Sequence, residues 1–329
     1  MGIEIKIKQP QNQVDIFQIE KLWKNACTNA FDGETCPRIG VPDEFYRMRF
    51  EFISTSQEYE EKKIQIFGTV NDYLLFDQNN YGSGIQLWFD DENNICLKAS
   101  FPTTYSEIIS LYKLVNVMCN EFGTKEFYRG SVGEFELVDI SQLNWFVELG
   151  INDSLLMLEN MKRQIEDGGE SISINGVVNF LSIELDNLKN WGIDLPLVGN
   201  MDNIMTLLHN YEKFMNEIQQ RDLFYAVFKL YQIKQDEEQF INGYISIPPD
   251  CETILPKVPE NEVYFILNQY DTSRINKFYV ILEDAEGKSC YVEYGEFLNK
   301  IDVKKREKYD AEHFIVRLSI REIEEIIKK

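Results

Sequence analysis

Apolar and polar residues alternate with a period of two along much of the chain, which is typical of strands that bury one face. The alternation begins at Ile3, Ile5 and Ile7, which are separated by charged residues. We predict strands for this segment and for others that alternate or form a short apolar run: YRMRFEF, KIQIFGTV, YLLFD, IQLWFD, ICLKASF, KEFYRG, VYFILNQY, KFYVILED, SCYVEYGEF and HFIVRL.

Other segments space their apolar residues three and four apart, which predicts amphipathic helices at 14–30, 104–122, 153–167 and 201–220, and after Ser319. We expect the third of these helices to begin at Asn152 or Asp153.

Capping signals define the ends of two helices. Thr104 and Glu107 are spaced as a capping box, and Gly123 is placed to end that helix. Ser319 and Glu322 repeat the box at the last predicted helix. The order ICLKASF, helix, KEFYRG indicates a β-α-β segment.

Three segments need interpretation. Asn175-Gly176 between apolar alternations predicts a hairpin, with a helix from Val177 as the alternative. LFYAVFKLYQI is apolar on both faces, which predicts a buried central strand that pairs through KQDEEQ with FINGYISI. Four of the nine prolines fall within 248–259, so we expect an extended segment outside any ladder there.

Strands outnumber helices and rarely alternate with them. The predicted class is therefore α+β, with mostly antiparallel sheets covered by a few amphipathic helices. We place a domain boundary at Gly168-Gly169, which gives an N-terminal α+β domain (1–168) and a C-terminal α+β domain (169–329). The alternative is that the two glycines only end a helix and the chain is one unit.

Charge narrows the range of partners. The 329 residues include 33 Lys and Arg against 55 Asp and Glu, a net charge of −22 that both halves share. A surface of this sign does not displace counterions from nucleic acid, so we expect no nucleic-acid partner.

The compartment follows from two further features. The opening MGIEIKIKQPQNQVDIF has no apolar signal-peptide core, and no run of 18 apolar residues predicts a membrane span. Six cysteines are scattered without a C-x-x-C pair, so we expect free thiols in a cytoplasmic protein.

Three segments resemble a known family in their order: ICLKASFPTTYSEIISLYKLVNVMCNEFG, TILPKVP followed by VYFIL, and HFIVRLSIREIEEII. They are similar to an uncharacterised, domain-of-unknown-function family of cytoplasmic proteins from low-GC Gram-positive bacteria. The resemblance is clearest from about residue 85 onward. It implies bacterial origin and one unit along the full length, and it brings no activity, cofactor or site residue.

Catalytic patterns are scarce. The two histidines, His209 and His313, have no partner motif around them, and we expect the first to be exposed and the second to be structural. Gly82-Ser83-Gly84 does not open a helix, so we interpret it as a turn rather than a phosphate cradle. The acidic stretch 90–94 lacks the EF-hand glycine, so we predict a polar hairpin loop there. We predict no catalytic residue, no metal site and no cofactor.

Five residues remain as candidates for binding. Arg38, Arg47 and Arg49 cluster in a chain that is short of positive charge, and Arg47 and Arg49 share one strand face where two guanidinium groups could hold an anion. The alternative is that nearby carboxylates neutralise them. Tyr81 and Trp88 are aromatic residues near loops or strand ends, where such residues often anchor interfaces.

The leading functional hypothesis is a non-enzymatic, acidic binding or regulatory protein that acts on a protein partner. The alternative is an enzyme or small-ligand binder for an anionic substrate, held by Arg38, Arg47 and Arg49.

Overall fold

The computed structural model describes residues 2–9, 14–30, 37–40, 50–52, 73–131, 134–177, 180–221, 223–226, 228–235, 238–260 and 275–328. The chain forms two compact units, Met1–Tyr46 with Phe67–Arg221 and Arg47–Ile66 with Asp222–Lys329. Gly168 and Gly169, where the sequence suggests a boundary, lie inside the first unit directly after a helix.

The described strands, in chain order, are β1 (Gly2–Ile7), β2 (Pro37–Gly40), β3 (Phe50–Phe52), β4 (Tyr73–Asp77), β5 (Asn80–Phe89), β6 (Ile95–Ser100), β7 (Glu126–Ser131), β8 (Glu134–Asp139), β9 (Ile172–Asn175), β10 (Phe180–Ile183), β11 (Phe224–Tyr225), β12 (Phe228–Gln235), β13 (Glu238–Ser246), β14 (Thr253–Pro256), β15 (Ile275–Glu283), β16 (Ser289–Glu293), β17 (Glu307–Lys308) and β18 (His313–Val316). The described helices are α1 (Ile16–Ala30), α2 (Tyr105–Phe122), α3 (Leu143–Glu166), α4 (Leu185–Trp191), α5 (Met201–Gln219), α6 (Tyr294–Lys300) and α7 (Ile320–Lys328).

The predicted α+β class with mostly antiparallel sheets is confirmed. The predicted strands KIQIFGTV and VYFILNQY lie outside the described residues.

The first unit is built on a seven-stranded sheet in the order β2–β4–β5–β6–β1–β7–β8. Strands β6 and β7 both run antiparallel to β1, so they are parallel to each other with β1 between them. Helix α2 connects β6 to β7, which confirms the predicted β-α-β segment. The two strands are not neighbours, because β1 lies between them in the sheet. Ile3, Ile5 and Ile7 of β1 are fully buried, as their alternation predicts.

Helix α2 has the ends that its sequence predicts. Thr104 accepts a hydrogen bond from the Glu107 amide, and the Glu107 side chain accepts one from the Thr104 amide. Gly123 ends the helix in the left-handed region at φ 69°. Before α7, Glu322 reaches back to Ser319 as the box predicts: its Oε2 accepts from the Ser319 amide at 2.9 Å and from the Ser319 hydroxyl at 2.8 Å.

Helix α3 begins at Leu143, so the predicted start at Asn152 or Asp153 is wrong. Asp139 caps a 3-10 turn, Ile140–Gln142, and α3 follows it directly. The first half of α3 was missed because it contains Gly150, and glycine lowers helix propensity. Glycine is present there because α3 packs closely on α2: a Cβ on Gly150 would lie 3.1 Å from Ile108.

Strands β9 and β10 pair with Asn175 opposite Phe180, so the predicted hairpin is confirmed and the alternative helix from Val177 is wrong. The connection is longer than the two-residue turn that Asn-Gly favours.

The second unit contains a five-stranded sheet, β16–β15–β13–β12–β3, and a four-stranded sheet, β11–β14–β18–β17. The predicted pairing of LFYAVFKLYQI with FINGYISI is confirmed as β12–β13. The prediction of one strand buried on both faces is wrong: the segment is divided between the two sheets, and Lys229 and Tyr231 of β12 are exposed.

The proline-rich segment also differs from the prediction. Its residues Thr253–Pro256 form the buried strand β14, which pairs with β18 and β11. Proline does not prevent this, because Pro256 is the last residue of the strand and the preceding amides remain free to pair. SCYVEYGEF is a strand only as far as Glu293, after which α6 begins.

Candidate functional site

A groove of about 640 Å³ lies in the first unit between α2, the start of α3 and the start of α5. Each helix contributes residues three or four positions apart, so each presents one stripe to the groove. The lining residues are Tyr105, Ile109, Tyr112, Lys113 and Asn116 of α2; Leu143, Asn144, Val147, Glu148 and Ile151 of α3; Met201 and Met205 of α5; and Ile140 and Ser141 before α3.

The groove has an apolar floor and a polar rim. Tyr112 is buried, Met205 is half-buried, and the rim residues Lys113, Asn144 and Glu148 are exposed. Among the described residues, Lys113 and Glu148 form no ion pair with each other or with a neighbour. One cation and one anion at the rim are therefore accessible to a ligand.

Contacts behind Tyr112 fix the floor. Arg129 Nε donates to the Tyr112 hydroxyl at 3.1 Å, and the Tyr112 ring stacks on Phe146 with centroids 6.1 Å apart. Arg129 also lies 3.9 Å from Asp153. Burial raises the pKa of Tyr112, so the phenol at the floor stays protonated.

A buried carboxylate braces the first turn of α2. The amides of Gly84 and Thr104 and the Thr103 hydroxyl all donate to Glu107. A Cβ on Gly82 would lie 2.2 to 2.4 Å from the Glu107 carboxylate. Gly82, Ser83 and Gly84 lie inside strand β5, so the predicted turn is wrong. This part of the strand fits around a carboxylate of the protein itself.

A second buried carboxylate joins two walls of the groove. Glu212 of α5 accepts a hydrogen bond from the Ser106 amide at 3.2 Å and another from the Ser106 hydroxyl. Burial raises the pKa of Glu212, and the neighbouring Glu107 raises it further. Next to this junction, His209 is exposed as expected and meets Tyr105 edge-on, with ring centroids 5.6 Å apart.

The predicted binding residues lie elsewhere in the first unit or outside the described part. Arg38 is exposed and donates from Nε to Gln78 Oε1 at 3.1 Å. Arg47 and Arg49 lie outside the described residues. Arg38 is not among the residues that line the groove, and an anion site shared by the three arginines stays a prediction.

Tyr81 and Trp88 are both on β5. Tyr81 stacks on Phe76, with centroids 6.0 Å apart, and Phe76 is the strand partner of Arg38. Trp88 is half-buried opposite Cys96. Arg38 and Tyr81 thus share a neighbour, whereas Trp88 lies farther along its strand, and neither aromatic residue lines the groove.

Other predicted features are structural. His313 is buried, with Nδ1 2.7 Å from Asp310 Oδ1. The loop at 90–94 is the predicted hairpin connection, in which Asp90 accepts from the Asn94 amide at 2.8 Å and pairs with Lys6 at 2.7 Å. Within the described ranges, no group of three or more His, Cys, Asp or Glu could hold a metal ion.

The described cysteines are free thiols, as predicted: Cys27, Cys96, Cys119, Cys251 and Cys290. No described helix combines the length and the apolar character that crossing a membrane requires.

The sequence contained part of the signal for the groove. Met201, Met205 and His209 repeat at four-residue intervals on the side of α5 that meets α2. On α2, Tyr105, Ile109 and Tyr112 are spaced by four and then three residues. Such stripes usually indicate residues buried in a core. The sequence pattern alone does not distinguish a groove from a core, because the difference depends on how the three helices pack.

The described residues form an α+β protein with a groove between three helices. Residues 39–326 match the family described as Domain of unknown function (DUF4299), and the chain belongs to that family. No curated protein and no solved structure matches the chain.

Proposed function

We propose that the protein is a non-enzymatic binding protein whose groove between α2, α3 and α5 receives a segment of a protein partner. The observation that supports this most strongly is the lining of the groove, in which an apolar floor is bordered by amide and charged side chains. This distribution matches the core and rim of protein interfaces.

The dimensions favour an amphipathic helical segment as the ligand. The α2 stripe from Tyr105 to Asn116 covers 12 residues, and the 11 steps between them span about 16 Å at ~1.5 Å per step, which is the length of three helical turns. Met201 and Met205 line one side, and methionine adapts its shape to an incoming apolar side chain. Lys113 and Glu148 would fix the direction of the segment through opposite charges.

We further propose that the protein acts in the cytoplasm of a low-GC Gram-positive bacterium. The free thiols support a reducing compartment, since three of them are buried where pairing would require partners that the core does not supply.

Affinity capture with matched variants tests the groove. Met201 is 54% exposed and is the first residue of α5, where an acidic side chain favours the helix dipole, so Met201→Asp should leave the fold intact. We expect wild-type protein to capture a partner that Met201→Asp and Val147→Asp lose. The control Phe17→Ala, on α1, should retain it. Equal capture by all four proteins would refute the proposal.

A further inference from the structure

Four tyrosines lie on one face of the five-stranded sheet in the second unit. The opposite face of the same strands belongs to the core, with Leu230, Ile245, Val280 and Val292 buried. The outward residues, here called the tyrosine platform, are Tyr231 of β12, Tyr244 of β13, Tyr279 of β15 and Tyr291 of β16. Tyr291 is 59% exposed and Tyr231 is 38% exposed, so the platform is accessible.

The rings form ridges rather than a flat surface. Tyr244 and Tyr279 stack with centroids 5.4 Å apart and an angle of 17° between their planes. Tyr231 and Tyr291 stand nearly perpendicular to Tyr244, at 83° and 87°. Because Tyr244 and Tyr279 cover each other's faces, the platform offers edges and gaps to a ligand.

The platform also offers hydrogen-bond donors. Tyr244 receives a weak bond of 3.4 Å from the Asn242 amide. In the part of the chain that the structure describes, the hydroxyls of Tyr231, Tyr279 and Tyr291 make no hydrogen bond. A tyrosine hydroxyl can donate to a carbonyl oxygen of a ligand.

The charges around the platform compensate each other. Lys277 pairs with Glu293 at 2.7 Å. The sequence of the second unit contains 19 basic and 25 acidic side chains. Neither the platform nor its unit supplies the positive surface that a nucleic acid requires.

We propose that the tyrosine platform binds a proline-rich segment in the polyproline II conformation. Such a segment has no internal hydrogen bonds, and its prolines offer carbonyl acceptors without amide donors, which suits three uncommitted hydroxyls. The pyrrolidine rings of its prolines can enter the gaps between the tyrosine rings, as in other aromatic-lined grooves that bind proline-rich segments.

Spacing supports the same ligand. Tyr231 is in register with Asn242, so it is displaced by two residues along the strand from the paired residues Tyr244 and Tyr279. The Tyr244 ring centroid lies 5.4 Å from those of Tyr231 and Tyr279, so these two outer rings are at most twice 5.4 Å, or 10.8 Å, apart. A polyproline II helix repeats every three residues, about 9.3 Å, which lies within that limit. A segment lying across Tyr244 would therefore bring residues i and i+3 to Tyr231 and Tyr279.

The test is fluorescence anisotropy of a fluorescein-labelled decaproline peptide titrated with the full chain to about 1 mM. We expect saturable binding that Tyr231→Ala and Tyr291→Ala each weaken about tenfold. Phe224→Ala removes a ring that is 43% exposed on the other sheet of the same unit and should not change the binding. The platform does not depend on the groove of the first unit, so its outcome is independent of the proposed function.

A further variant tests the hydroxyl groups without removing the aromatic rings, so that loss of binding is not caused by loss of the fold. The triple change Tyr231→Phe, Tyr279→Phe and Tyr291→Phe keeps the rings and removes the hydroxyls, and should weaken binding about fivefold. Absence of binding by decaproline, or equal binding by all variants, would overturn the proposal. So would platform-dependent binding of oligouridylate or maltohexaose in place of decaproline, which would assign the site to nucleic acid or carbohydrate.

Discussion

The carboxylate of Glu212, on α5, accepts a hydrogen bond from the backbone amide of Ser106, in the first turn of α2, at 3.2 Å. The Ser106 hydroxyl donates to the same carboxylate. These two residues are 106 positions apart in the chain, and they join two of the helices that line the groove. The geometry of the groove therefore depends on a buried carboxylate at the start of α2.

This contact predicts a dependence of stability on pH. Burial raises the pKa of Glu212, so the folded protein holds its proton more tightly than the unfolded chain does. The contribution of Glu212 to the free energy of unfolding is therefore greatest at low pH. It decreases as pH rises from the ordinary carboxyl pKa through the raised value.

Glu212→Gln keeps an acceptor for Ser106 and removes the titration. We expect its stability relative to wild type to increase with pH across that window, as measured by urea unfolding at several pH values. Glu217→Gln, whose side chain is 69% exposed on the same helix, should show no such trend. Glu212→Ala should cost about 1–3 kcal/mol, because the Ser106 donors lose their acceptor. Parallel pH profiles for wild type and Glu212→Gln would contradict this interpretation.

Gly82→Ala should destabilise the first unit by about 1–3 kcal/mol, because the new methyl group would displace a Glu107 carboxylate that several donors hold in place. Gly295 provides the control: it lies in α6 with no atom within 4 Å of an added Cβ, so Gly295→Ala should stabilise by about 0.5–1 kcal/mol. Thermal unfolding measures both changes. A Gly82→Ala protein as stable as wild type would show that β5 does not require glycine at this position.

Thiol reactivity should follow burial. Burial raises the pKa of Cys96 and of Cys119 to about 11, so at pH 8 both are protonated as well as shielded. Among the five described thiols, Cys251 is exposed and should react before the other four with an aromatic disulfide reagent in the native protein. In denaturant without reductant, six thiols should titrate. A reproducible count of four would indicate a disulfide.

The arginine cluster distinguishes the two functional hypotheses that the sequence supports. If Arg38, Arg47 and Arg49 are neutralised by nearby carboxylates, no phosphate, nucleotide or organic acid should raise the melting temperature. Arg47→Ala with Arg49→Ala should then cost at most about 1 kcal/mol per exposed pair. An anion that stabilises wild type by ~2.7 kcal/mol at 100 times its dissociation constant, and not the double variant, would favour the anionic-ligand alternative.

The sequence predicted an element correctly where all the residues that define it lie close together in the chain. Thr104, Glu107 and Gly123 define α2 without help from distant residues, and the alternation at Ile3, Ile5 and Ile7 defines β1. Such signals act within a few residues, so they can be found in a single sequence.

Features that depend on distant neighbours could not be predicted in this way. Gly150 belongs to α3 because of its packing against Ile108, and Pro256 belongs to a ladder because β18 lies beside it. Tyr231 and Tyr244 form a platform only once their strands pair. The groove likewise exists only after three helices from separate parts of the chain have packed.

The most direct test of the groove is site-specific photo-crosslinking in cells. A photoreactive benzoylphenylalanine at Asn144, on the exposed rim, would be compared with the same group at Phe17, which is 76% exposed on α1 and outside the groove. The proposed function predicts that Asn144 crosslinks to a helical segment of one protein partner, that Phe17 does not, and that Met201→Asp abolishes the crosslink. No crosslink at Asn144, or the same products from both positions, would contradict it.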